Sequence, residues 1–534
     1  MVDIEKWTES RRFTPEKLAA ARIILEDVKN GADVFTAIRK NPLPGVGYLA
    51  KHTLVEAYRL LVTSGEWTED TELFKRIRLK PVRTLSGVTT VTVLTGPHEC
   101  PGKCIFCPDD ARLPKSYLYG EPGAMRGMQN DFDPYRQVAS RLEALDAVGH
   151  PIDKIELLIL GGTFTAYSTD YQEWFIRRCF DAMNGFDAAT LDEAQKANEN
   201  ADHRNVGLVI ETRPDEVTPD VLAKLRLLGV TKVQIGAQSL DDHLLTINKR
   251  GHTAGQTLDA VCKLRAAGFK VVLHWMPNLL GATLLSDRED FARLWSQGYC
   301  PDEIKIYPTQ LVENSELYSV WQQGRYQPYT TEELVQLMAD LKVTIPRYCR
   351  VNRVIRDIPS NLIAAGNKRS SLRMDVQQEL QRRGQQCQCV RCREVRGEQV
   401  NPEELVSHDL VYPTPASTEH FLSFDTPEDK LAGYLRLSLP NLTMNGDVRA
   451  AMPDLDGAAI IREVHVFGQA QPVGGSEAGA AQHTGLGTAL LLEAEKIALE
   501  NGYKKLAVIS AVGTRVYYQK RGFERGSHYY VKNL

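Results

Sequence analysis

Three thiols fall within the eight residues CPGKCIFC, at Cys100, Cys104 and Cys107. The spacing C-x3-C-x2-C places them on one short loop, close enough to share a metal centre, and the apolar Ile105 and Phe106 let that loop fold its sulfurs inward. A zinc site closes with a fourth Cys or His; His98 offers a nitrogen nearby, and Asp109 and Asp110 offer oxygens. A [4Fe–4S] cluster held by three cysteines leaves one iron open to an outside ligand. Spacing alone leaves both readings open. A second trio, Cys387, Cys389 and Cys392, reads as a small zinc clip stiffening a segment too short for its own core. Its fourth ligand is not apparent, with His408 and the scattered Cys179, Cys262, Cys300 and Cys349 as candidates. Six of ten cysteines clustered in this way point to metal ligation in a reducing compartment rather than to disulfides.

Other stretches carry weaker chemistry. Gly161–Gly162–Thr163 ends a β-like run, where most Gly-Gly pairs are only tight turns. QHTGLGT (482–488) opens a helix after a Gly-rich loop, so its backbone N–H groups suit an anion such as a pyrophosphate. Tyr517 and Tyr518 stand side by side, and one of the pair is expected to be only structural. The formal net charge of −4 hides an uneven distribution. KRIRLKPVR (75–83) has no acid, and residues 347–373 are rich in Arg and Lys, so a phosphate-binding surface stands beside the plainer reading of solvated faces.

The elements that must position these residues follow from periodicity. With 534 residues the chain exceeds one compact core. It shows neither a secretory signal nor an apolar run long enough for a bilayer, so the cytoplasm is the expected compartment. TPEKLAAARIILEDVKN and HTLVEAYRLLVTSG have helical spacing and suggest a small N-terminal helical module over 1–74. From 75 to 365, GVTTVTVLTG, KIELLILGG, VGLVIETRP, KVQIGAQS, FKVVLHWMP and EIKIYPTQ alternate with helical stretches. That rhythm predicts α/β architecture with six β/α units, a partial barrel with functional residues at the carboxyl ends of its strands. Residues 366–412 form the cysteine-bearing linker, and the turn-rich YPTPAST (412–418) ends it. A second α/β unit occupies 413–534.

CPGKCIFC, just after the strand that opens a β/α series, resembles the signature of radical S-adenosylmethionine (SAM) enzymes. The resemblance implies a [4Fe–4S] cluster on Cys100, Cys104 and Cys107 whose open iron is chelated by SAM. Gly161, Gly162 and Thr163 would hold the methionine amine, and Glu211 and Gln234 would make further SAM contacts. The C-terminal unit resembles the GNAT acetyltransferases. That likeness implies acetyl-CoA, with Glu463, Val464, His465 and Val466 along its pantetheine arm, Gly485, Leu486, Gly487 and Thr488 cradling the pyrophosphate, and Tyr517 near the thioester.

The two modules in this order are similar to the catalytic subunit of Elongator, through IDKIELLILGGTF, IETRPD, NRVIRDIPSNLI, CREVR, REVHV and AVISAVGTRVYY, over nearly the whole chain from about residue 75. The family comprises tRNA uridine acetyltransferases, and this chain resembles a stand-alone microbial member, without excluding accessory subunits. The similarity implies a deoxyadenosyl radical that takes hydrogen from the methyl of acetyl-CoA. The resulting carbon radical adds to carbon 5 of the wobble uridine, and loss of an electron and a proton, with thioester hydrolysis, leaves a carboxymethyl group. Lys154 matches a position assigned to acetyl-CoA contact and joins Tyr517 and Tyr518 as the candidate catalytic set. The tRNA anticodon stem-loop would be gripped by Arg76, Arg78, Lys80, Arg83, Arg353, Arg356, Lys368 and Arg369, and a separate reductase or other electron donor would serve the cluster. The main alternative is a protein lysine acetyltransferase with a structural barrel, in which Glu463 is the general base. A non-catalytic tRNA-binding scaffold is the third reading.

Overall fold

A computed structural model of the 534-residue chain describes residues 13–534 apart from 46, 81–83, 85, 397, 399, 442 and 468–484. Near its start, Pro15–Lys29 (α1), Val34–Lys40 (α2), Lys51–Thr63 (α3) and Thr71–Ile77 (α4) bury a small core of their own around Ile24, Leu25, Leu54 and Leu61. Arg59 clips this module to the barrel through two 2.8 Å bonds to the Asp146 carboxylate.

Thr89–Leu94 (β1), Lys154–Leu160 (β2), Arg204–Thr212 (β3), Lys232–Gln238 (β4), Lys270–Trp275 (β5), Glu303–Ile306 (β6) and Arg350–Arg353 (β7) form one sheet in chain order. Every neighbouring pair is parallel. Parallel neighbours require a crossover each time. Pro134–Asp146 (α5), Thr169–Asn184 (α6), Pro219–Leu227 (α7), Ala254–Ala266 (α8), Leu284–Ser296 (α9) and Thr331–Lys342 (α10) provide one apiece. Each start is written locally: Asp133, Ser168, Thr218, Thr253, Thr283 and Thr330 accept a first-turn backbone N–H.

Along β2, Ile155, Leu157 and Ile159 are fully buried in the main core, while Glu156 lies on the other face and bonds Lys232 of β4 at 2.8 Å. Lys232 in turn reaches Glu303 of β6 at 3.0 Å, so side chains of alternate strands meet across a curled sheet with a polar lumen. The sheet has seven strands where the pattern predicts six units. The additional strand, β7, lies inside the Arg-rich run, where Arg350 and Asn352 are polar because they join the lumen network.

The second sheet runs Val406–Pro413 (β8), Ser417–Asp425 (β9), Leu431–Pro440 (β10), Ala458–Val466 (β11), Lys505–Val508 (β12), Glu524–Arg525 (β13) and Tyr530–Asn533 (β14), ordered β8-β9-β10-β11-β12-β14-β13. Only β11 and β12 pair in parallel. Residues 412–418 are therefore not a linker but the end of β8 and the turn into β9. Tyr412 is committed there because its ring stacks on Tyr348 of the barrel, with centroids 3.9 Å apart.

All of β10 is buried, since both faces are covered. Leu435, Leu437 and Leu439 pack with Leu490, Leu491 and Ala494 of helix Leu486–Glu500, while Tyr434 belongs to the core shared with the barrel. On that barrel-facing side lies a buried ionic seam. Arg462 of β11 holds Asp302, at the foot of β6, through two 2.7 Å bonds, and Arg436 of β10 stands 3.5 Å from the same carboxylate. Glu463 accepts from Lys270 at 2.9 Å and from Arg436 at 3.0 Å, and Glu419 is shared by Arg462 and Arg265. With Lys232, Glu156 and Glu303 the cations and carboxylates balance, as burial of charge demands.

Burial alone would raise the Asp302 carboxyl, but Arg462 and Arg436 outweigh it and hold it far below the usual range. Such a depressed group contributes stability above its unfolded value of about 3.9, and that contribution fades as pH falls below it. Asp302→Asn leaves Arg462 without its carboxylate and is expected to cost about 3 to 5 kcal/mol. Thermal unfolding at pH 7 and at pH 3 checks this, with the deficit of the variant shrinking at the lower pH.

Candidate active site

The carboxyl ends of β1 to β6 gather the residues singled out in the barrel. The cysteine loop follows β1, and Cys100 Sγ lies 3.7 Å from Thr163 Oγ1 at the end of β2. The turn between them admits no side chain. Gly161 has φ +145°, and a Cβ there would sit 1.8 Å from Thr95 Oγ1. Glu211 and Gln234 face each other across β3 and β4. Glu211 accepts from the Tyr117 hydroxyl at 3.0 Å and lies 3.7 Å from Lys305 Nζ, while Gln234 Oε1 is 2.9 Å from His274 Nε2. Burial, reinforced by Lys305 and Arg250, drives His274 well below its ordinary value, so the ring is neutral.

Two buried arginines complete this rim: Arg213, in the Glu211–Thr212–Arg213 stretch that the sequence places at a strand's carboxyl end, and Arg250, which the sequence does not single out. Arg250 donates to Cys104 Sγ at 3.5 Å, and Arg213 lies over Gly102, its NH1 just 2.2 Å from where a Cβ would stand. Arg213 NH1 and Arg250 Nε are buried without a partner among the described residues. The position of Arg213 in IETRP, directly after β3, is a signal in the sequence, whereas Arg250 in NKRGH follows a helix and carries none.

The opposite end of the lumen meets the second sheet. Lys154 opens β2 beside Arg204 of β3, and Val512–Thr514 packs on that spot so closely that a Cβ on Gly513 would lie 2.7 Å from Arg204 Cβ. Val464, His465 and Val466 pair with β10, but β12 pairs with β11 only as far as Ile461. Beyond that point the two strands no longer pair. His465 stacks between Tyr434 and Phe467, and its Nε2 is buried with no partner among the described residues. Burial pushes it down to about 4 despite Glu463 nearby, so it too is neutral.

Leu486–Glu500 starts near Val466, 3.8 Å from where a Cβ on Gly487 would stand, with Gly485 at φ +81° as its cap and Thr488 accepting from Arg521 at 3.2 Å. Gly487 has no room for a Cβ, which would fall 2.9 Å from the Tyr517 hydroxyl. The adjacent tyrosines part ways: Tyr517 is half-buried under the Arg521 guanidinium, 3.6 Å from its ring, whereas Tyr518 is a core residue against Phe523. The residues Gln482, His483 and Thr484 lie outside the described set.

Sulfurs of Cys387, Cys389 and Cys392 lie within 4.8 Å of one another, near enough to converge on one tetrahedral ion at a Zn–S distance of about 2.3 Å. Among the described residues no fourth ligand atom comes as close. His408 is exposed on β8, with Asp425 3.9 Å away.

Of the basic residues, Arg76, Lys80, Arg353, Lys368 and Arg369 are exposed. Arg78 and Arg356 turn partly inward, Arg78 over the Phe74 ring and Arg356 onto Glu121 at 2.7 Å and the Ser116 carbonyl. Arg83 lies outside the described residues.

A curled parallel sheet with a three-cysteine loop after its first strand and a glycine turn after its second defines a radical SAM enzyme. Residues 96–294 match the Radical SAM superfamily, and residues 301–382 match the Radical_SAM C-terminal domain. The chain belongs to the family of the tRNA uridine(34) acetyltransferases and Elongator complex protein 3. It is 42% identical to the tRNA uridine(34) acetyltransferase of Methanocaldococcus jannaschii over 474 residues, 86% of each chain. Identity to that of Dehalococcoides mccartyi is 42% over 85% of this chain and 99% of the relative, and to the human Elongator complex protein 3 it is 36% over 86% and 87%. The structure superimposes on the archaeal Methanocaldococcus infernus Elp3 with an N-terminal deletion at TM-score 0.74 and 37% identity, covering 84% of this chain and all of that one. Among the described residues no helix is long and apolar enough to cross a membrane.

The family implies a [4Fe–4S] cluster and SAM, and the loop fits them: the unpartnered N–H groups of Arg213 and Arg250 await an acceptor of negative charge. For the second trio, Cys389→Ser is expected to remove about one equivalent of bound zinc, as a three-thiolate clip loses affinity with each ligand. Elemental analysis of the purified protein reads this directly.

Proposed function

We propose that this enzyme is a tRNA carboxymethyluridine synthase, an acyltransferase that takes its two-carbon unit from acetyl-CoA and attaches it to carbon 5 of the wobble uridine. The observation that carries the reading is one polar lumen with a cysteine loop at its carboxyl rim and, at its floor, the second sheet, where β11 runs on past its pairing with β12. When bound, the cluster and SAM supply hydrogen abstraction by a 5′-deoxyadenosyl radical.

The chain's own residues do the positioning. Cys100, Cys104 and Cys107 hold the cluster, and the turn at Gly161 and Gly162 with Thr163, Glu211 and Gln234 seats SAM. The second sheet acts as a GNAT domain. Glu463 to Val466, which lie beyond the last residue of β11 that pairs with β12, run along the pantetheine arm. The start of Leu486–Glu500, from Gly485 to Thr488, holds the pyrophosphate by its exposed N–H groups, and Arg521 adds a cation to that spot. Lys154 and Tyr517 flank the thioester from opposite modules. Zinc on Cys387, Cys389 and Cys392 pins the segment between them. The tRNA anticodon stem-loop meets the exposed Arg76, Lys80, Arg353, Lys368 and Arg369, and a separate electron donor feeds the cluster.

Lysine acetylation is the poorer reading. A general base needs a free oxygen, yet both oxygens of Glu463 are occupied by Lys270 and Arg436. Although burial would raise its carboxyl, Lys270, Arg436 and Lys232 hold it well below the usual range.

Anaerobic incubation with tRNA, acetyl-CoA, SAM and a reductant, followed by mass analysis of nucleosides, is expected to show a carboxymethyl increment on uridine. Cys104→Ser abolishes it; product undiminished in that variant would overturn the radical chemistry. Gly487→Leu, which displaces the Tyr517 hydroxyl, raises the KM for acetyl-CoA about tenfold.

A further inference from the structure

Arg250 and Arg213 have no role in the scheme above, yet both spend burial on the cysteine loop. Arg250 is 6% exposed, and among the described residues no carboxylate pairs with it. Its NH2 is taken by the Gly236 carbonyl at 2.6 Å, its NH1 points at Cys104, and its Nε has no partner. A guanidinium buried this deeply calls for a counter-charge. The sulfurs of the loop are what it faces. Arg213 differs in one respect. Asp215 neutralises it through Nε and NH2, each at 2.9 Å, leaving NH1 over Gly102 as a donor with little net charge. His252 does not serve as the missing counterpart. It lies between the two arginines with both nitrogens unpartnered, and burial together with Arg250 and Arg213 pushes it down to about 3, keeping it neutral.

We infer that Arg250 is the built-in counter-charge of the metal centre on this loop and that Arg213 is its second hydrogen-bond donor, the pair setting its reduction potential. The inference rests on reading Cys100, Cys104 and Cys107 as cluster ligands. Net charge, hydrogen bonds to sulfur and exposure set the potential of such centres. A fixed cation favours the more negative, reduced form, so removing it lowers the potential. Both arginines are positioning residues in this scheme. Arg250 carries the larger effect because nothing offsets its charge.

The test uses the full-length enzyme with its cluster reconstituted anaerobically and no SAM present, titrated redox step by step and followed by electron paramagnetic resonance. Arg250→Gln is expected to disfavour reduction at least tenfold, a fall of about 59 mV for one electron, with iron per protein unchanged. Arg213→Gln gives a smaller fall, and Arg250→Lys restores most of the wild-type value. Asp215→Asn tests the same point in reverse, since freeing the charge of Arg213 raises the potential, and it serves even if Arg250→Gln fails to hold iron. A wild-type potential in both Arg250→Gln and Asp215→Asn overturns the inference. So does a shift that appears only once SAM is added, which would assign Arg250 to the SAM carboxylate. Wild-type protein that binds no cluster on this loop sinks the ligand reading itself, a distinct result.

Discussion

Asp302 is the residue on which both halves of the molecule turn. It sits at the foot of β6 with no exposed surface, and the guanidiniums that hold it come from the other sheet. Buried ion pairs are weak sources of net stability, because desolvation offsets most of the attraction. Their value is geometric. An arginine that needs two bonds to one carboxylate admits a single docking of β11 against the barrel, and the tight approaches of Gly513 to Arg204 and of Gly268 to Ile460 exist only in that docking.

From the seam the charge continues up the lumen. Lys270 with Glu463 and Lys232 with Glu156 and Glu303 lie toward the floor, Gln234 with His274 and Glu211 with Lys305 above them, and Arg250 with Cys104 at the rim. A strand turns every second side chain to the same face, so these polar residues come from alternate positions. The apolar partners of these residues, such as Ile155 and Leu157, face the helices and carry the hydrophobic stabilisation. The same strands therefore supply both the core and the polar passage, by strict alternation.

That alternation explains what the sequence made legible. The first six strands and their capping residues are local signals, as are both cysteine trios and the glycine turn. β7 was hidden because Arg350 and Asn352 look like surface residues until the lumen gives them Glu394 and Glu303. β8 escaped for a related reason: it is an exposed edge whose SHDLVY groups its polar residues ahead of its apolar ones instead of alternating them. Arg250 acts through Cys104 and Lys270 through Glu463, each more than a hundred residues away, and periodicity is blind to such distances. The split between Tyr517 and Tyr518 follows from helix geometry, since neighbours on a helix point about 100° apart and only one can meet the core.

The molecule thus contains two electrostatic systems that answer differently to ionic strength. The seam lies out of reach of mobile ions, whereas Arg353, Lys368 and Arg369 stand in solvent, where charges separated by more than about 8 Å are largely screened at physiological salt. Raising the salt therefore loosens whatever polyanion rests on the outside while the internal alignment of the two sheets stays put. Release of the bound partner and integrity of the scaffold are separable by a change of buffer alone.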